Sequence, residues 1–195
     1  MTWVAPMSDP MAGLDTDPAL AAAVLEIETH VADAGWDQPA RLYALVDTVR
    51  LAAQEPALAA SMGLSDASAQ GSLTPVEQDQ LGPDRPLETV LEQIAWPSAV
   101  SGCAAVVERL VLPPDADPHI PDDPSAAEEY AREHPDRQEV RIVAGATRHG
   151  STYCALRLRD HDDEQSVVAG VDLVPALLQL LVSTLEEPDE PEEAR

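Results

Sequence analysis

The chain has no lysine, no phenylalanine and no asparagine, so all eleven of its basic residues are arginines. Codons for the three missing amino acids are rich in A and T, whereas those for alanine, proline, glycine and most arginines are rich in G and C. The absences therefore indicate a GC-rich genome, as in a high-GC bacterium or a salt-loving archaeon. They do not indicate a specialised function.

Aromatic residues are also scarce, with three tryptophans and three tyrosines among 195 residues. Trp36 and Trp96 each stand close to a proline near a predicted helix end, and we interpret them as packing anchors. They do not alternate with basic residues along a strand. The sequence therefore argues against stacking on single-stranded nucleic acid.

Long hydrophobic runs are missing as well. The most apolar stretch, residues 173–185, is too short to span a bilayer and includes Gln179. Residues 1–11 lack the basic region and the apolar core of a secretory signal. We therefore expect a cytoplasmic protein without membrane insertion.

Motifs of known catalytic chemistry are not present. The two cysteines, Cys103 and Cys154, lie in apolar surroundings without a CxxC pattern, which predicts buried free thiols in preference to a disulfide. A dyad of Cys154 with His149 is disfavoured because a core-facing thiol is inert. The five histidines show no HxxxH spacing, and GxSxG, HExxH and P-loop patterns are missing. The sequence offers no catalytic residue and implies no cofactor.

One loop carries residues that could suit a hard cation. Its oxygen and imidazole groups belong to Asp115, Asp117, His119, Asp122 and Asp123. The spacing does not match an EF-hand, which needs a glycine and a terminal glutamate at fixed positions. We therefore expect no metal site.

The charge is strongly one-sided, with 36 acidic residues against eleven arginines and a formal net charge of −25. A field of this sign repels nucleic acid and anionic membrane surfaces and favours basic partners. An alternative interpretation is that the charge only reflects an acidic host proteome.

The composition divides the chain into three parts. Residues 1–14 predict a flexible leader, residues 15–187 a single α+β domain, and residues 188–195 a disordered acidic tail. Within the domain, residues 63–85 and 113–125 are expected to be long loops, because Gly, Ser, Asp and Pro accumulate there.

Five helices are predicted from apolar spacing and capping signals. The first begins at Asp17 and Pro18 and ends near Gly35. Ser125 and Asp172 are the expected caps of two later helices. The predicted helices cover residues 18–34, 48–62 with a break at Pro56, 86–95, 125–133 and 172–186.

Strands are predicted at 99–112, which is apolar on both faces and therefore central, and in a hairpin at 138–159. Residues 41–46 fit either a strand or a helix. In the hairpin, a three-residue loop ending in Gly150 pairs Ile142 with Leu156, whereas a two-residue loop would oppose Ile142 to Arg157. The fold class is therefore α+β, with a mostly antiparallel sheet of about four strands, helices packed on it, and a β-hairpin and C-terminal helix at the end.

Four stretches carry a resemblance to a known family: GWDQPARLYALVDT at 35–48, WPSAVSGCAAVVERLVLPP at 96–114, HPDRQEVRIVAGATRHG at 134–150 and DLVPALLQLLVSTL at 172–185. Together they resemble an uncharacterised conserved family of actinobacteria, over about residues 17–187. The family has no assigned activity, so the resemblance implies no catalytic residues. Its members are often encoded near a membrane-anchored protease and a large membrane protein, which implies a role at the cytoplasmic side of the envelope.

Arginines are concentrated near the hairpin, where six of the eleven fall within 28 residues. In the predicted register, Arg141 lies opposite Arg157, with Arg159 adjacent and Arg148 in the loop. Directly opposed like charges are unfavourable unless an anion lies between them, and guanidinium groups bind phosphate and carboxylate well. We expect either an anion-binding face or a solvated face whose arginines are balanced by Glu139, Asp160, Asp162 and Asp163.

The last helix is apolar on nearly all sides, so it is either buried or in contact with a second subunit. Leu177, Leu181 and Leu185 would line such an interface in a homodimer. The first hypothesis for function is a non-enzymatic cytoplasmic binding or adaptor protein whose partner is another protein and not nucleic acid. The alternative is a regulator that binds a small anion or nucleotide through the hairpin arginines.

Overall fold

The computed structural model describes residues 16–61, 63, 70–78, 82 and 85–186. The predicted leader and acidic tail lie outside these residues. Six α-helices fall within the described chain: α1 Pro18–Asp33, α2 Thr48–Gln54, α3 Pro56–Ser61, α4 Leu87–Leu91, α5 Pro124–Glu133 and α6 Pro175–Leu185. Among them is no helix long and apolar enough to cross a membrane.

The strands form one antiparallel sheet in the order β2-β1-β3-β4-β5-β6. Their bounds are β1 Arg41–Asp47, β2 Leu73–Glu77, β3 Gly102–Val111, β4 Gln138–Thr147, β5 Thr152–Leu158 and β6 Val168–Gly170. The α+β class and the antiparallel sheet are confirmed, but the expected number of about four strands is wrong, because the sheet has six.

The two strands that the sequence did not predict are the edge strands. β2 lies within 63–85, which was expected to be a loop, and it contains Pro75. Proline cannot donate to a ladder, so it is tolerated at an edge strand and obscures the strand pattern. β6 is only three residues long. The open choice for residues 41–46 is settled, since β1 is a strand between β2 and β3.

The hairpin of β4 and β5 has the predicted register. Ile142 is opposite Leu156, and Val140 is opposite Leu158. The loop is Arg148 to Gly150, and Gly150 has φ +83°, a left-handed conformation that glycine adopts without steric cost. The apolar residues of both strands therefore share one face.

Helix α1 covers one face of the sheet. Asp17 caps it by accepting hydrogen bonds from the backbone N–H groups of Ala19 and Leu20 at 3.0 and 3.2 Å. The helix meets β4 at Gly145, where a Cβ atom would lie 2.7 Å from Cγ2 of Val24. The core on this side consists of Leu20, Ala23, Val24, Ile27, Val31, Tyr43, Leu45, Ala104, Val106, Val143 and Ala155.

Helices α4 and α6 cover the opposite face. Their buried side chains pack against the second set of strand residues, which includes Cys103, Val107 and Ile142. Both faces of the central strands are therefore covered, which explains why β3 is apolar on both sides.

Two predicted helix caps differ from the structure. The cap of α5 is Asp123, whose carboxylate accepts from the N–H of Ala126 at 3.0 Å, so Ser125 lies inside the helix. The N-cap position of α6 is Val174, which makes no side-chain hydrogen bond, so Asp172 does not cap it. In both cases a proline at the first helical position, Pro124 or Pro175, sets the start of the helix.

Candidate functional site

The predicted ligand-binding arginines Arg141 and Arg157 lie on the face of the sheet that α1 covers. Only 1% of Arg141 is exposed, and its guanidinium donates to Oε1 of Glu108 from Nη2 at 2.9 Å and also to the carbonyl oxygen of Gly35. Its Cζ lies 4.3 Å from the ring centre of Trp36, a cation–π contact. Arg141 is therefore not on a solvated face, which was one of the two alternatives predicted from the sequence.

Arg157 is held by a buried carboxylate of α1. Its Nε and Nη2 donate to the two carboxylate oxygens of Glu28 at 2.5 and 2.9 Å, and Nη1 donates to Asp162 at 3.3 Å. Hydrogen bonding to Glu28 raises the pKa of Arg157, so the arginine remains charged. The opposed guanidiniums of Arg141 and Arg157 are thus each paired with a carboxylate of this chain.

Arg159 forms further ion pairs next to those of Arg141 and Arg157, and its side chain is more exposed than theirs. It forms two hydrogen bonds of 2.9 Å with the carboxylate of Asp37 and one of 2.5 Å with Glu139. Hydrogen bonding by Arg159 lowers the pKa of Asp37. The guanidiniums of Arg141 and Arg159 both lie over the ring of Trp36, which donates its indole N–H to Asp162 at 2.9 Å. The turn between α1 and β1 is thereby fixed on β4 and β5.

Arg148 has a different environment, because its acceptors are backbone carbonyl groups. It donates to Val100 at 2.8 Å, to Trp96 at 2.8 Å, to Pro97 at 2.9 Å and to Leu185. The hairpin loop is therefore tied to the segment before β3 and to the end of α6. Arg148 lies apart from the other three arginines.

These contacts bear on the anion-binding hypothesis. Each of the four predicted ligand-binding arginines already donates to a carboxylate or carbonyl oxygen, and Arg141 and Arg157 are buried. An anion would compete with those acceptors; Nη1 of Arg141 has no hydrogen-bond partner among the described residues, but it is buried. Along the described chain, the arrangement binds α1 and its following turn to the sheet.

The predicted interface leucines of α6 also lie mainly inside the chain. Leu181 is fully buried and Leu185 is 4% exposed, and both belong to the core under α4 and α6. Leu177 is half-buried against the same core. Because α6 packs on the sheet and on α4, burial within the chain accounts for the apolar side chains of Leu181 and Leu185.

An apolar groove that the sequence did not reveal lies between the end of β3 and α5. Its volume is about 610 Å³. Three of its apolar side chains are exposed: Leu110 at 37%, Val111 at 45% and Ile120 at 38%. Ala127 and Ala131 of α5 form the opposite wall.

Each wall of the groove has few contacts with the rest of the fold: the end of β3 has a paired strand on one side only, and α5 is poorly buried. β3 pairs with β4 as far as Val111, but its pairing with β1 ends at Val106. Residues 107–111 therefore have a paired strand on one side only within the described sheet. Helix α5 has no buried residue of its own. Apolar side chains are thus exposed along an edge of β3 with which β1 does not pair.

The groove is bordered by charged side chains and lies in an acidic region. Arg109 pairs with Glu88 at 2.6 Å, and Arg132 pairs with Glu128 at 2.8 Å, all four side chains being substantially exposed. Residues 115–139 contain nine acidic residues and two arginines. The charged side chains that line the groove are two glutamates and two arginines, and the chain segment that contains α5 is acidic.

The sequence held one signal for this groove. The apolar pattern of β3 continues to Val111 and Leu112, although β1 is too short to pair with this end of β3. Ile120 is an isolated apolar residue in an acidic, proline-rich loop. Without the sheet order, these residues could not be distinguished from ordinary core positions.

The two thiols are buried and free, as predicted. Burial raises the pKa of Cys103 to about 11, and its Sγ lies 3.6 Å from the carbonyl oxygen of Leu181. β4 lies between the strands that carry Cys103 and Cys154. Among the residues that the structure describes, no group of three or more His, Cys, Asp and Glu side chains could hold a metal ion.

Comparison with known proteins identifies a family. No curated protein and no solved structure shows a significant match to the chain. A family model described as PPA1309-like protein matches residues 20–186, which span α1 to the end of α6. The chain therefore belongs to the PPA1309-like protein family.

Proposed function

We propose that the protein is a non-enzymatic binding protein whose groove between β3 and α5 receives an extended segment of a partner protein. The segment carries apolar side chains next to arginine or lysine. Cytoplasmic location and an actinobacterial origin, which the sequence suggests, are part of this proposal.

The observation that carries the proposal is the exposure of Leu110, Val111 and Ile120 together in one groove. Apolar side chains gathered in a groove and bordered by polar residues are typical of interaction sites. The edge of β3 beyond Val106 supports an extended occupant, because such a segment can add its backbone hydrogen bonds to an unpaired strand edge.

Charge supports a basic occupant. The groove lies beside residues 115–139, with nine acidic residues and two arginines, in a chain of net charge −25. Long-range attraction of this kind accelerates association with basic segments and disfavours acidic ones. We therefore expect the affinity to fall as the salt concentration rises.

The test places a photo-crosslinking residue, benzoylphenylalanine, at position 111 or at position 49 in the native host. Val49 on α2 is a matched control, because both valines are 45% exposed. Crosslinked segments are identified by mass spectrometry, synthesised, and measured for binding to the purified protein. We expect Val111→Glu to weaken binding by about tenfold or more and Val49→Glu to leave it unchanged.

Identical products at both positions would overturn the proposal. A captured segment without basic residues, or one that binds the Val111→Glu variant as tightly as the original protein, would do the same.

A further inference from the structure

The groove between β3 and α5 runs along the edge of β3 and not over one face of the sheet. Its wall on the strand side consists of the consecutive residues 108–112. Successive side chains of a strand point to opposite faces, so a groove lined by all of them lies at the edge. This is the edge with which β1 stops pairing at Val106. α5 therefore lies beside the position that a further strand would take next to residues 107–111.

The space between β3 and α5 is too narrow for a further strand where the two elements come closest. Some of their Cα atoms lie within 8 Å of each other. A strand added to β3 would lie about 4.8 Å from it, and there it would collide with the backbone of α5. An extended segment can therefore pair with the whole of residues 107–111 only if α5 moves.

Residues 120–137, which include α5, form hydrogen bonds only among themselves within the described chain. The N-terminal cap of α5, the ring contact between Tyr130 and His134 and the ion pair between Arg132 and Glu128 each join two residues of this segment. The same holds for the hydrogen bonds of the turn that follows the helix. α5 can therefore leave β3 without breaking a hydrogen bond or an ion pair to the rest of the fold.

Apolar contacts also hold α5 only weakly. The helix has no buried residue, and the apolar side chains with which it lines the groove are the small ones of Ala127 and Ala131. Local opening requires the least free energy where few apolar side chains are buried. Ala116, which precedes the helix, is 3% exposed, so the segment stays anchored at its beginning while residues 120–137 move.

We propose that α5 is a movable cover of the edge of β3, which swings away when an extended segment pairs with residues 107–111. This inference deepens the proposed function and rests on it. In the free protein the cover shields an edge that carries exposed apolar side chains, as natural sheets shield their unpaired edges with a helix or a loop. A partner segment has to displace α5, so segments that pair poorly with β3 are rejected.

Glu129, an exposed residue in the middle of α5, offers a matched pair of variants. Glu129→Pro breaks the helix, whereas Glu129→Ala removes the same charge and favours the helix. Neither variant changes a side chain that lines the groove. Hydrogen exchange and thermal denaturation compare both full-length variants with the original protein.

In the original protein, the amides of α5 should exchange about 100-fold faster than the interior amides of α1, through an opening that does not unfold the sheet. Glu129→Pro should remove the protection of α5 alone and leave the midpoint of thermal denaturation within about 3 °C of that of Glu129→Ala. A larger decrease would overturn the proposal, because the cost of the proline would then fall on the whole fold. Exchange of α5 only together with α1 would overturn it as well.

The second readout is the photo-crosslink of benzoylphenylalanine at position 111 in the native host. Glu129→Pro should give at least about threefold more of the product that the original chain captures than Glu129→Ala gives, because the segment no longer has to displace α5. An equal or lower yield would overturn the proposal, since α5 would then be a fixed wall of the groove. If position 111 captures no specific product in the original chain, the proposed function fails, whereas the exchange measurement still decides whether α5 opens.

Discussion

Arg157 of β5 and Glu28 of α1 form a two-point ion pair in which both side chains are 4% exposed. The residues are 129 positions apart in the sequence, so the pair joins the first helix to the far part of the sheet. Because both groups are desolvated, neither can return to water when the other is removed. Removing either side chain should therefore strongly destabilise the folded protein.

Glu28→Ala should lower the free energy of unfolding by about 3–5 kcal/mol, because it leaves Arg157 buried with only Asp162 as a charged partner. Urea denaturation measures the change. The control is Glu128→Ala, which breaks the exposed pair with Arg132 and should cost less than about 1 kcal/mol. Equal losses in the two variants would show that the buried pair is not a special contributor.

Leu181→Ala should lower the free energy of unfolding by about 2–5 kcal/mol without changing the oligomeric state, because Leu181 is part of the monomer core. Leu177→Ala, at a half-buried position on the same helix, should cost less. Thermal denaturation and light scattering measure the two quantities. If Leu181→Ala changed the molecular mass while the stability stayed the same, α6 would be an interface after all.

Gly145→Ala should be destabilising by about 1–3 kcal/mol, since the new Cβ would lie 2.7 Å from Val24 and 3.0 Å from Leu20. The side chains of Val24 and Leu20, or the helix that carries them, would have to shift. Gly82→Ala is the matched control, because a Cβ there meets nothing within 4 Å. Differential scanning calorimetry compares the variants, and similar midpoints for both would contradict the close approach of α1.

Acid should weaken the contact between Asp37 and Arg159. Hydrogen bonding by Arg159 holds the pKa of Asp37 below its usual value of 3.8, so the stabilisation is present above that value and is lost as the pH falls through the lower, folded-state pKa. Asp37→Asn should flatten the dependence of unfolding free energy on pH between about pH 5 and pH 2. Denaturant unfolding across that range is the measurement, and an unchanged slope would contradict it.

Asparagine is the suitable replacement at this position. Asp37 has φ +62°, a left-handed conformation that asparagine also adopts more readily than most residues. The variant therefore changes the charge and keeps the backbone, so a changed slope reports the ion pair with Arg159.

The hairpin could be predicted in detail because its register follows from local information. The choice between pairing Ile142 with Leu156 or with Arg157 depends only on alternation and on the position of Gly150. The break between α2 and α3 at Pro56 could also be predicted from local information, because proline interrupts the hydrogen bonding of the helical turn in which it lies.

The environment of Arg141 and Arg157 could not be predicted in this way. Alternation placed both on one face of the sheet, but it did not reveal that α1 covers that face or that Glu28 would meet Arg157. The groove at Val111 depends in the same way on the point where β1 stops pairing with β3. Such features arise from contacts between distant segments, which a single sequence does not encode in any local pattern.

The outer borders of the sheet have a consequence for the behaviour of the protein at high concentration. One border is β2, interrupted by Pro75, and the other is β6, with three residues. Neither offers the long, regular row of free backbone groups on which another molecule could extend the sheet. Fibrous aggregation through these borders is therefore disfavoured, and the net charge of −25 adds mutual repulsion between copies.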